Sequence, residues 1–189
     1  LFPICRSLTG QGNRDTLAYI KNIIPELEMY SVATGYRAFD WSVPNEWNIL
    51  GGYIEDVNGN KIVDFNDSNL HVMGYSEPVD RIVELGELQE HLFSIPEMPS
   101  AIPYKTSYYK KNWGFCIEHS KRDKLKDESY RVKIESTLKP GKLDYADIVL
   151  PGKSKKEILI STYFCHPSMA NNELSGPVVA TAIARWLSK

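Results

Sequence analysis

Ile158-Leu-Ile-Ser-Thr-Tyr-Phe-Cys-His-Pro-Ser-Met-Ala-Asn-Asn-Glu-Leu-Ser-Gly176 carries an uncharged apolar run into a polar turn and then into a helix. Residues 158–164 read as a β-strand covered on both faces, because no polar alternation marks a solvent side. From Pro177 to Leu187 the apolar residues take up helical spacing. Ligands of open α/β sheets bind beyond the carboxyl ends of strands, and His166 lies at such an end. A neutral imidazole held there reads as a metal ligand, since histidine is the commonest protein ligand for zinc. The competing reading is a histidine that only hydrogen-bonds within the turn.

Composition narrows the classes of function. The 189 residues hold 22 basic and 24 acidic side chains, a formal charge of −2, with 42% hydrophobic and 24% charged residues. Such a chain folds into one or two ordinary globular domains. No stretch interleaves Lys and Arg with aromatics, so no nucleic-acid partner is expected; Lys153, Lys155 and Lys156 read as a solvated hairpin tip. No apolar run approaches bilayer length and the start has no signal-peptide pattern, so no membrane partner is expected. Cys5, Cys116 and Cys165 are odd in number and far apart, which reads as reduced thiols in a cytoplasmic protein. The last helix carries no C-cap glycine or proline, and the sequence is expected to continue into a larger protein.

Outward from the opening stretch, an α/β fold class is expected. Residues 13–24 have helical apolar spacing ended by Pro25, and residues 28–34 form a strand closed by Gly35. Strands are expected at 51–57 and 61–65 around the hairpin signal Asn58-Gly59, and at 68–75. A short helix is expected at 85–92 and a helical turn at 121–125, with strands at 130–136 and 143–150. The expected arrangement is a parallel-type α/β layer from residues 1–37 and 126–189, interrupted by a β-rich antiparallel insert over residues 38–125. Clustered aromatics such as Tyr108-Tyr109 and Trp113-Gly-Phe115 read as core.

Asp147-Ile-Val-Leu-Pro-Gly-Lys-Ser154, then Glu157 to Tyr163, His166 and Ala170-Asn-Asn-Glu-Leu-Ser-Gly176, resemble the co-catalytic zinc aminopeptidase clan. More closely, Leu1-Phe-Pro-Ile-Cys-Arg-Ser-Leu-Thr-Gly10, Phe39-Asp-Trp41, Pro44-Asn-Glu-Trp-Asn48, Ser107-Tyr-Tyr109, Asn112-Trp-Gly-Phe-Cys116 and Cys165-His-Pro-Ser168 are similar to a bacterial aminopeptidase-like family with an inserted β-rich domain of unknown function. The resemblance implies a partial zinc-aminopeptidase-like sheet and a hydrolase of peptide or amide bonds using one or two zinc ions. It implies that His166 is the first zinc ligand and that Asn172 occupies the place of the bridging aspartate. The remaining ligands and the glutamate general base would lie beyond residue 189, so this segment alone lacks a complete active site.

Two departures stand out. A carboxamide at Asn172 offers one carbonyl oxygen and no charge, which weakens a two-metal site. Glu173 supplies a carboxylate one position on, but adjacent helical side chains point well apart. The clan also orients its histidine with an aspartate two residues later, where this chain has Ser168.

Arg6 could grip a substrate carboxylate with two parallel hydrogen bonds, or pair with a surface acid while Thr9 or Gly10 starts the helix. His71, His91 and His119 have no ligand at fixed spacing and read as structural or solvent-exposed. A Cys165–His166 catalytic pair is disfavoured because adjacent strand side chains face opposite ways. Two rivals to the hydrolase remain: an inactive relative kept as a binding or scaffold module, and an insert that itself binds carbohydrate or peptide through its aromatics.

Overall fold

The computed structural model describes residues 1–188. In chain order the elements are α1 (Gln11–Ile23), β1 (Glu28–Ala33), β2 (Arg37–Ala38), β3 (Trp41–Ser42), β4 (Glu46–Glu55), β5 (Lys61–Asp64), β6 (Val79–Glu84) and α2 (Leu85–Glu90). They continue with β7 (Leu92–Phe93), β8 (Phe115–Cys116), α3 (His119–Arg122), β9 (Ser129–Lys139), β10 (Lys142–Asp147) and α4 (Ser175–Leu187). The chain divides into two compact units, residues 1–46 with 140–189, and residues 47–139. Among the described residues no helix is long and apolar enough to cross a membrane.

In the first unit, α1 buries Asn13, Thr16, Leu17 and Ile20, the spacing of one helix face. Ile20 joins Ile24 and Leu27 in a small core, with Ala146, Ile148 and Ala184 packed against it. Fully burying a side chain of this size stabilises by about 1.5–3 kcal/mol. Lys21 donates to the carbonyl of Leu27 at 2.7 Å and helps close the helix end. Antiparallel β1 and β10 pair from Glu28↔Asp147 to Ala33↔Lys142, with Tyr30 and Tyr145 stacked at 5.2 Å. Arg14 ties α1 to Asp144 of β10 at 3.0 Å and to Glu46 at 2.6 Å.

The second unit is built on a four-stranded sheet of order β5-β4-β9-β6. The alternation along β9 sends Tyr130, Val132 and Ile134 into a core with Ile54, Val63, Val83, Leu88 and Phe115. β4 and β5 form the expected hairpin. Its turn needs a positive φ at Gly59, observed at 79°, and Asp56 accepts from the backbone N–H groups of Asn58 and Asn60.

Several expectations change. The sequence puts the domain junctions at 37/38 and 125/126, whereas the chain's contacts divide it after Glu46 and after Lys139. β9 is the reason: it pairs with β6 from Val79↔Ile134 to Glu84↔Ser129, which commits it to the second unit. The layer expected to be parallel contains instead the antiparallel pair β1–β10. Residues 68–75 form no strand; Ser68 accepts from Leu70 N and starts a short 3₁₀ turn at Asn69–His71. Residues 158–164 also form no strand, with Ile158 92% and Leu159 90% exposed. A strand exists only through ladder hydrogen bonds to a neighbour, and none of the described strands pairs with this segment.

Candidate functional site

The turn after residue 164 folds tightly before α4 begins. Ser168 takes a left-handed φ of 40°, a conformation uncommon for residues other than glycine and often found at functional turns. Ala170–Leu174 then form a single π-helical turn, in which Leu174 N donates five residues back to Met169 O at 3.2 Å. Such wide turns recur at functional sites. A Cβ at Gly176 would lie 2.0 Å from Thr162 Oγ1, so a larger residue there would require the exposed Thr162 side chain to give way.

Glu173 holds His166 at two points. Oε1 accepts from the backbone N–H of His166 at 2.7 Å, and Oε2 lies 2.6 Å from Nδ1. The Glu173 side chain is fully buried, whereas that of His166 is 25% exposed. Cys165 Sγ lies 3.5 Å from the same ring nitrogen. Because the segment bends here and is not a strand, the adjacent side chains of Cys165 and His166 converge, contrary to the strand-based expectation. Hydrogen bonds to the Cys165 thiol and then to the Glu173 carboxylate push the imidazole up to about 9 from its ordinary 6.5.

The first residues of the chain brace this turn. Arg6 donates through Nε to His166 O at 3.2 Å and through Nη1 to Leu1 O at 2.8 Å, and Ser168 Oγ donates to Phe2 O at 3.2 Å. Arg6 is fully buried, and its remaining nitrogen, Nη2, has no hydrogen-bond partner among the described residues. Burial draws the guanidinium below its ordinary pKa, against the opposing pull of the Glu173 charge. Two of the Arg6 donors are thus engaged by backbone carbonyls within this unit.

Residues 46–137 match a family model described as a domain of unknown function, DUF2172, a stretch close to the second unit at 47–139. A Clostridium acetobutylicum protein, named provisionally as a polysaccharide biosynthesis protein with an aminopeptidase-like domain, is 49% identical over 189 residues, which is 100% of this chain and 43% of that protein. A crystal structure described provisionally as a peptidase from the same organism superposes with a TM-score of 0.95 at 49% identity, covering 99% of this chain and 44% of that one. The chain is homologous to aminopeptidase-like proteins. It spans less than half the length of either relative.

The sulfur, nitrogen and carboxylate oxygens of Cys165, His166 and Glu173 lie within 4.8 Å of one another. The donor chemistry fits one imidazole ligand to a divalent cation: a ring clamped through Nδ1 by a carboxylate is how metal-binding histidines are held. Asn172 is exposed. The remaining histidines make contacts of their own elsewhere. His71 Nδ1 meets Cys116 O at 2.8 Å, His91 stacks on Trp113 at 3.6 Å, and His119 lies between Ser94 and Asp123. Sequence reasoning set Glu173 aside; the available signal was one acid in an otherwise neutral turn.

Proposed function

We propose that this chain forms part of a metal-dependent, aminopeptidase-like hydrolase of peptide or amide bonds, with His166 as a metal ligand and Asn172 at the second ligand position. The reading is carried by the His166 turn, where a part-exposed imidazole is fixed at the start of α4 by a buried carboxylate. The 49% identity to an aminopeptidase-like protein across the whole chain supports it. When bound, a divalent cation would polarise the scissile carbonyl and make water a better nucleophile near neutral pH. The chain's own residues orient the ligand: Glu173 fixes the ring, Arg6 holds the His166 carbonyl, and Ser168 ties the turn to Phe2. The general base and further ligands would come from sequence outside these residues. The relative's link to polysaccharide biosynthesis extends the amides worth assaying to N-acylated amino sugars.

The test is elemental analysis of the full-length protein purified without chelator, beside His166→Ala, followed by hydrolysis assays on aminoacyl amides and N-acylated sugars. Stoichiometric zinc that disappears in the variant is expected. A wild type free of zinc, cobalt, nickel and manganese would refute the reading.

The exposed amide of Asn172 favours a second reading, an inactive relative retained for binding. Asn172→Asp separates the two. Wild-type turnover that the substitution leaves unchanged excludes the inactive relative; activity present only in the variant supports it.

A further inference from the structure

We infer that Glu173 is the positioning residue of His166: its buried carboxylate accepts the Nδ1 proton and leaves Nε2 as the nitrogen that meets a divalent cation. The inference rests on the metal-hydrolase reading for its purpose, but the pairing itself stands on geometry.

Two arrangements compete for the Cys165, His166 and Glu173 cluster. In the first, the three side chains are themselves the ligands of one ion. In the second, Glu173 is a proton acceptor behind the ligand. The 2.6 Å separation of Nδ1 and Oε2 decides between them. Two atoms that each sit about 2.0–2.2 Å from a tetrahedral zinc stand roughly 3.4 Å apart, whereas 2.6 Å lies beside the roughly 2.7–2.9 Å of a charge-assisted N–H···O hydrogen bond. The space between these atoms fits a proton and not a cation.

The second carboxylate oxygen strengthens the case. Oε1 takes the backbone N–H of the same histidine at 2.7 Å, so one carboxylate fixes both the main chain and the ring of His166. A carboxylate with no exposed side-chain surface is costly to bury unless its oxygens are engaged, and both of these are. The arrangement also accounts for Ser168, which stands where an orienting aspartate is expected and whose hydroxyl is turned to Phe2 O. The orienting carboxylate comes from seven residues on, across the turn. A plainer role for Glu173, an acid near the N-terminus of α4 stabilised by the helix dipole, would not require it to engage the imidazole.

Histidine-labelled full-length protein tests the inference by proton and nitrogen NMR together with zinc titration. In the metal-free wild type, a strongly downfield Nδ1–H signal of His166 is expected, retained when zinc binds and lost in Glu173→Gln. Zinc affinity in that variant should fall about 10- to 100-fold. Zinc coordination through Nδ1, with loss of that proton in the wild type, would overturn the inference, as would unchanged zinc affinity in Glu173→Gln. Should the variant fail to fold, the wild-type spectra with and without zinc decide alone. Loss of the Nδ1–H signal in Glu173→Gln while neither form binds zinc, cobalt or manganese would uphold the pairing and sink only the metal reading.

Discussion

Arg6 donates through Nε to the carbonyl oxygen of His166 at 3.2 Å, joining residues 160 apart in sequence. The guanidinium is fully buried, so its loss would leave the backbone carbonyls of His166 and Leu1 without their donor. Leaving a buried acceptor without its donor costs about 1–3 kcal/mol. Arg6→Ala should lose stability of that order in urea unfolding of the full-length protein. Arg6→Lys should lose less, because it keeps the charge but not the planar fork of donors. An unchanged midpoint for Arg6→Ala would show that the brace is dispensable.

Two glycines in helices should respond oppositely to alanine. A Cβ at Gly12 would stand 2.0 Å from the Cys5 carbonyl oxygen, a backbone atom that cannot step aside, whereas one at Gly86 meets open space. Gly86→Ala should raise stability by up to about 1 kcal/mol through helix propensity. Gly12→Ala should lower it despite the same propensity gain. Thermal melts of the two variants beside the wild type check both signs.

Ser76 is a fully buried junction of the second unit. Its Oγ donates to Met73 O at 2.7 Å and accepts from Gly114 N at 3.2 Å, while its carbonyl receives Trp47 Nε1 at 2.9 Å and Ser136 Oγ at 2.7 Å. Ser76→Ala leaves the Gly114 N–H buried without its acceptor. A cost of about 1–3 kcal/mol is expected, with faster hydrogen exchange at the Gly114 amide as the local signature.

Burial pushes the Cys116 thiol up to about 12 from an ordinary 9.0. Its folded pKa is the higher one, so the folded state holds the proton more tightly than the unfolded state. Stability from this group is complete below pH 9 and declines as pH rises from about 9 toward 12. Cys116→Ala should therefore show a shallower loss of stability over that window. Equal slopes in paired urea titrations at pH 8 and pH 10 would contradict this assignment.

What the sequence determined by itself was local and periodic. The apolar spacing of α1, the alternation of β9 and the Asn58-Gly59 turn each arise from interactions within a few residues, and each stands in the structure. His166 stands out in the sequence because an apolar run leads into its polar turn. The tertiary structure decided the rest. Pairing with β6 assigned β9 to the second unit, and no local period encodes a partner some fifty residues away. The bend at Cys165 and the π-helical turn at Ala170–Leu174 set which side chain of that turn faces inward, leaving Asn172 exposed and Glu173 against the imidazole. Which charge lies beside which depends on burial and on hydrogen bonds between distant segments, and those come into being only when the chain has folded.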